Sequence, residues 1–510
     1  MRDWLQGLQR FTTARRTKIE CLLLSICLFL GADAFALQRQ QESVDQPNFI
    51  IIYTDDLGYN DVGCFGSKLI KTPNLDRMAS EGIKLTSFYV GAPLCGPSRV
   101  SLMTGCYPMR PAIAKINKQR QFHPILHNKE VTMAEMLKSA GYSTMAIGKW
   151  HLSGSGRQAI GDQKLDEGLE QFYMKNPRLM PNAQGFDQYY GIPYSNDMNP
   201  AVMMRDDKFI EFPVDQTGIS TRYTDEAIKY ITQQKNNPFF LYLAHNMPHT
   251  PLYPSKQFEG KSAYGLYGDC VEEIDFNVGR ILDTLKTLKI DGKTLVIFTS
   301  DNGPWIEPSV NRVPEARNSR LQSGTAAPLR GMKMTSWDGG SRVPCIIRFP
   351  GKIKPGKVSD EIVTNMDFYP TFAKLAGGIL PQNIKIDGKD VMPLLTGQVD
   401  QSPHKAYFYY KYTNLYAVRN SRFKLVFPRP EKPRDIGWYG RLQEAIAVPT
   451  LYDLKKDIGE TTNVSAQYPE VVKQLEQLAE AMRDDLGDKG RMGKGWRGTY
   501  RWEYENPPKE

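Results

Sequence analysis

Cys95 heads the run Cys95-Gly96-Pro97-Ser98-Arg99-Val100-Ser101-Leu102-Met103-Thr104-Gly105. A proline ahead of an apolar, helix-like stretch places this cysteine at a helix N-terminus, because the missing N–H of proline is no loss in the first turn. The free backbone N–H groups and the helix dipole at such an end favour bound anions. Arg99 adds a permanent cation with no acidic residue near it in sequence. The pattern predicts an anion held against a special side chain. A capping loop with a small buried cysteine is the plainer alternative.

Two acidic clusters supply the second half of the chemistry. Thr54-Asp55-Asp56 follows the apolar run 48–53, and Thr299-Ser300-Asp301-Asn302-Gly303 follows the run 293–298. In open α/β sheets, ligands bind beyond the carboxyl ends of strands, so the two clusters can meet in space. Asp55, Asp56, Asp301 and Asn302 offer only oxygen ligands, the preference of a hard cation such as Ca²⁺ or Mg²⁺. Zinc would call for histidine or cysteine beside them. Either cluster alone reads as turn or capping aspartates. The pair, taken with Cys95, points to a metal.

The elements that must position these residues alternate. Short β-branched runs at 48–53, 144–147, 238–243 and 293–298 suit strands buried on both faces. Helical stretches at 74–81, 132–140 and 271–288 intervene, and 84–89 reads as extended. This alternation predicts an α/β domain with a large, mostly parallel sheet. After residue 376 the pattern changes to closely spaced strands at 406–410, 415–418 and 423–427, followed by a helix at 468–486. The expected division is therefore a leader at 1–36, a catalytic domain at 37–376, a small α+β domain with an antiparallel sheet at 377–487, and a loosely held tail at 488–510.

Length and charge bound the rest. A chain of 510 residues exceeds what one small core needs. Arg15, Arg16 and Lys18 precede an apolar run from Cys21 to Leu30, with Ala34-Phe35-Ala36 as a small-x-small cleavage site. This is the pattern of a secretory signal, too short for a comfortable membrane span. It predicts a secreted, periplasmic or lysosomal-type location with no stable membrane insertion after cleavage. The net charge is +9, of which residues 1–36 carry +2, leaving +7. It is diffuse, with no nucleic-acid motif, and would favour anionic substrates. Cys64, Cys106, Cys270 and Cys345 permit two disulfides or four buried thiols. The sequence leaves both open.

The stations Asp55-Asp56-Leu57-Gly58, Thr72-Pro73-Asn74-Leu75-Asp76 and Cys95 to Gly105 resemble the amino-terminal half of the sulfatase family, of the arylsulfatase A-like kind. Gly148-Lys149-Trp150-His151-Leu152, Pro248-His249-Thr250-Pro251, Asp301-Asn302-Gly303, Lys333 with Gly339-Gly340, and Leu451-Tyr452-Asp453-Leu454 are similar to further family stations, in family order. The resemblance implies an alkaline-phosphatase-like sandwich with a small C-terminal domain. It implies that Cys95 is converted by a separate modifying enzyme to formylglycine, whose hydrate attacks sulfur. Asp55, Asp56, Asp301 and Asn302, with residue 95, would bind one Ca²⁺. Arg99 would stabilise the hydrate and the metal ligands, Lys149 and Lys333 would hold sulfate oxygens, His151 would assist regeneration of the aldehyde, and His249 would protonate the leaving oxygen. Ser195, in Gly191-Ile192-Pro193-Tyr194-Ser195-Asn196-Asp197, matches a substrate-contacting serine.

Those residue types suit sulfate-ester cleavage. Metal and lysines stabilise charge on the equatorial oxygens, histidine supplies a proton near neutral pH, and a covalent route divides one hard step into two. The chain departs from the family at Cys106, where arginine is common, and at Asn196, where histidine is common. The expected substrate is a carbohydrate or aryl sulfate. A phosphate or phosphonate ester hydrolase of the same superfamily and a non-catalytic binding protein are the alternatives. Asn302 argues against the first, since those relatives place histidine after this aspartate.

Overall fold

The run Asn48–Thr54 forms strand β1, and Phe49 through Tyr53 are wholly buried, as expected of a strand covered on both faces. The computed structural model describes residues 46–111, 126, 130–152, 174–198, 200–306, 323–411, 413–429, 444–488 and 491–497. The leader at 1–36 and most of the tail at 488–510 lie outside them.

Around β1 runs a ten-stranded sheet in the order β11-β2-β10-β9-β1-β8-β4-β5-β6-β7. Its strands are β2 (Ile83–Leu85), β4 (Ser143–Gly148), β5 (Gln188–Gly191), β6 (Met203–Arg205), β7 (Lys208–Glu211), β8 (Phe239–Ala244), β9 (Thr294–Ser300), β10 (Cys345–Arg348) and β11 (Lys357–Ser359). The central strands β9, β1, β8, β4 and β5 are parallel, while β10 runs against both β9 and β2. A two-residue strand, β3 (Phe88–Tyr89), pairs with β12 (Val363–Thr364). The expected extended stretch 84–89 is thus two strands belonging to two sheets.

Helices cover both faces. Successive strand residues point to opposite sides. Phe240 packs on Phe372 of one helix (centroids 6.2 Å apart), whereas its neighbour Phe239 packs on Tyr230 of another (5.8 Å). The first group comprises α2 (Cys95–Thr104), α3 (Met133–Ser139) and α6 (Phe368–Ala376). The second comprises α1 (Pro73–Ser80), α4 (Ile219–Gln234) and α5 (Leu266–Thr287). The capping box of Thr132 with Glu135 starts α3, satisfying two otherwise orphaned donors.

A four-stranded antiparallel sheet, β13 (Tyr407–Lys411), β14 (Asn414–Arg419), β15 (Phe423–Val426) and β16 (Thr450–Asp453), packs with α7 (Pro469–Leu486). Its hydrophobic cluster is shared with Tyr89, Tyr107, Met109 and Trp337 from earlier in the chain. The described residues from 47 onward pack as one unit. Of the two cysteine alternatives, the structure has thiols: Cys64, Cys106, Cys270 and Cys345 are all free. No described helix is long and apolar enough to cross a membrane.

Candidate active site

Four neighbouring strands release the site residues at one edge of the sheet. Ser300 pairs with Thr54, Tyr53 with Ala244, and Ala244 with Gly148. Asp301, Asp55, the loop carrying His249, and Lys149 therefore leave at nearly one level. The helix α2 begins at Cys95 with Leu94 as its extended cap residue, which is the N-terminal placement read from the sequence.

Asp55, Asp56, Cys95 and His249 bring ligand atoms within 4.8 Å of one another, all buried. Lys333 Nζ donates to Asp56 Oδ1 at 2.7 Å and to Oδ2 at 3.0 Å. Lys149 Nζ donates to Asp55 Oδ2 at 2.5 Å and to Ser195 Oγ at 3.0 Å. Arg99 grips Asp301 Oδ2 through Nε (3.1 Å) and Nη2 (2.8 Å), and its Nη1 donates to the Lys149 carbonyl at 2.9 Å. Asn302 Nδ2 donates to Asp56 Oδ1 at 2.6 Å, and the Asp56 N–H donates to Asp301 Oδ1 at 3.3 Å. His249 Nε2 stands 3.6 Å from Asp56 Oδ2. These contacts bring Cys95, Arg99, Lys149, Ser195, His249, Lys333 and the four expected metal ligands into one buried cluster. His151 follows Lys149 by two residues and is half-buried, outside these contacts.

Burial and charge oppose each other throughout. Burial alone would raise the Asp55 carboxyl, yet Lys149, His249 and Arg99 hold it well below the ordinary range. Burial, reinforced by the charge of Asp55, pushes Asp301 up. Burial pushes the Cys95 thiol up despite Lys149 and Lys333, so as a thiol it is un-ionised and a poor nucleophile. Burial, with the charges of Lys149 and Arg99, drives His151 well down.

The donor set fits a hard cation. Asp55 Oδ1 and Asn302 Oδ1 are buried acceptors with no hydrogen-bond partner among the described residues. Orphaned acceptors of this kind are costly unless something positive meets them. With the Asp56 carboxylate beside them, they are oxygen donors of the kind a hard cation prefers.

A family model described as Sulfatase matches residues 47–379. The chain belongs to the sulfatase family. A second model, the C-terminal region of N-sulphoglucosamine sulphohydrolase, matches residues 333–485 of this sulfatase. Steryl-sulfatase of Homo sapiens is 35% identical over 79% of this chain and 77% of its own length. Arylsulfatase A of Homo sapiens is 34% identical, covering 85% of this chain and 87% of its own. A solved structure described under glycosaminoglycan metabolism by Bacteroides thetaiotaomicron superposes with TM-score 0.72 at 28% identity, covering 86% of this chain and 99% of that one.

The sulfatase site also holds residues the motifs did not single out. Tyr242 Oη accepts from Arg99 Nη1 at 3.1 Å, and the Trp305 ring lies 4.6 Å from Lys333 Nζ and 5.6 Å from the His249 ring. Trp305 follows Asp301-Asn302-Gly303 closely enough that this station could have flagged it. Tyr242 sits inside an apolar strand run and gives no local signal.

Proposed function

We propose that this sulfatase hydrolyses sulfate esters at the cluster around residue 95, with a carbohydrate or aryl sulfate as substrate. The observation that carries the reading is the convergence of two buried amines, Lys149 and Lys333, on the Asp55–Asp56 pair beside Cys95. Asp55, Asp56, Asp301 and Asn302, with the side chain of residue 95, would hold one calcium ion, which supplies positive charge against the sulfate oxygens. Converted to formylglycine by a separate modifying enzyme, residue 95 supplies a hydrated aldehyde as the nucleophile toward sulfur.

The remaining roles belong to groups already in place. The Lys149 and Lys333 ammonium groups bind sulfate oxygens and stabilise the charge gathered there. The Nη and Nε groups of Arg99 fix Asp301 and the Lys149 backbone. His249 Nδ1 lies 2.5 Å from the Thr250 carbonyl; in the protonated imidazolium Nδ1–H donates there, and the proton on Nε2 is the one passed to the leaving oxygen. His151, with Nδ1 unpartnered among the described residues, accepts a proton in the step that returns residue 95 to its resting form. Ser195, bonded to Lys149, contacts the bound ester. The leader at 1–36 would send the enzyme to a secreted, periplasmic or lysosomal-type compartment.

A relative named for aryl sulfates and a structural neighbour described with glycosaminoglycans support the two substrate classes. The deciding experiment is release of inorganic sulfate from a panel of aryl sulfates and sulfated mono- and oligosaccharides. Sulfate release from none of them would refute the reading.

A further inference from the structure

Lys333 extends from a loop whose backbone is held on three sides. Its own N–H donates at 3.0 Å to the carbonyl of Pro304, two residues past Asn302. The next residue, Met334, donates its N–H at 2.7 Å to the carbonyl of Pro93, two residues before Cys95. The Met334 carbonyl accepts Nζ of Lys411 at 2.5 Å. Lys411 ends β13 and is 2% exposed. The small sheet thus reaches the loop that carries a site residue.

Two features mark this contact as more than a chance hydrogen bond. Met334 has φ of 68°, a left-handed backbone that side chains disfavour and that persists where the surroundings over-determine it. Placing a lysine here also opposes its own solvation, since burial, reinforced by Arg429, pushes its pKa down to about 7. The same segment is tied again at Asp338. Its carboxylate accepts Tyr409 Oη at 2.5 Å and Lys424 Nζ at 3.2 Å, and its N–H donates to Glu460 at 2.9 Å.

We propose that Lys411 is a positioning residue for Lys333: through the Met334 carbonyl it fixes the backbone from which the sulfate-binding ammonium extends. The C-terminal sheet thereby sets the geometry of a site it does not line. This rests on the reading of Lys333 as a sulfate-binding group, and the test separates the two.

Kinetics on para-nitrophenyl sulfate and thermal melting are measured for the wild type, Lys411→Met, Lys411→Arg, Lys333→Ala and the double variant Lys333→Ala/Lys411→Met. Misplacement of a catalytic group by about 1 Å can lower rates about 100-fold, so Lys411→Met should reduce kcat/KM by about 10- to 100-fold. Lys411→Arg, which keeps a donor, should recover most of it. With Lys333 already removed, Lys411→Met should cost less than about 2-fold, because residues acting through one another are non-additive. Equal losses in both backgrounds, or no loss in the wild type, would overturn the inference. Full activity of Lys333→Ala would instead remove the role of Lys333, and the inference with it. Should Lys411→Met fail to fold, Lys411→Gln is scored by the same comparison.

Discussion

Thr54 of β1 and Ser300 of β9 are partners on the last rung of the central parallel ladder. The residue after each strand is an aspartate, so Asp55 and Asp301 emerge side by side from strands 246 residues apart. Two carboxylates that close destabilise each other unless cations intervene. Arg99 and Lys149 do so from α2 and the end of β4. Lys149 follows Gly148, which shares a rung with Ala244.

Replacing Cys95 with alanine should abolish sulfate release and leave the melting temperature nearly unchanged, since the side chain packs as a small buried group. Mass spectrometry of the wild-type Cys95 peptide should show sulfur replaced by an aldehyde oxygen. Undiminished turnover by Cys95→Ala would refute the mechanism.

Adding calcium to chelator-treated protein should raise its melting temperature, because a ligand that binds only the folded state stabilises it. Asn302→Ala removes an orphaned buried acceptor and should shrink that calcium-dependent shift. Calorimetric melts with and without calcium decide this, and an unchanged shift counts against Asn302 as a ligand.

His249→Ala should reduce kcat by about 100- to 10,000-fold on an alkyl or sugar sulfate, the range for loss of a general acid. The same substitution should matter far less on para-nitrophenyl sulfate, whose leaving group needs little protonation. Equal losses on both substrates would assign His249 another role.

On paired aryl esters, sulfate release should exceed phosphate release, because sulfate carries less charge than phosphate and a single hard cation with Asn302 as an oxygen ligand would suit it. Parallel assays of para-nitrophenyl sulfate and phosphate give the ranking directly. The reverse order would sink the sulfate assignment.

Arg110 joins Asp387 (2.6 Å) to Asp485 of α7 (2.8 Å). Burial would raise the Asp485 carboxyl, but hydrogen bonds from Arg110 and Lys385 outweigh it and hold the group at about 2, below the ordinary 3.8. A depressed folded value means stability that is present above the unfolded value and lost as the pH falls toward the folded one. Arg110→Met should therefore lower the melting temperature at pH 6 more than at pH 2. Melts across that range test it, and a pH-independent difference would exclude the ion pair as the cause.

The residue types of the site were legible in the chain because each station is local. An apolar run followed by Asp55-Asp56 or Asp301-Asn302 reports a buried strand and what leaves it. Cys95 to Gly105 reports a helix and its first turn. The strands and helices that were expected appeared within a few residues of their bounds. The helices α4 and α6 were not expected, nor were β5, β6, β7, β10, β11, β12 and β16, which are short and, in β7, partly exposed.

What the sequence by itself determined was the inventory: strand-end carboxylates, a cysteine at a helix N-terminus, two lysines and two histidines in family order. Tertiary structure decided their neighbours. The order β9-β1-β8-β4 brings Asp301, Asp55, His249 and Lys149 together through pairings between strands as much as 246 residues apart, and no local pattern encodes that register. It also left the four remaining cysteines as thiols and brought Lys411 to the Met334 carbonyl. Side-chain periodicity is written in adjacent residues. Strand order and loop anchoring arise only when distant surfaces pack.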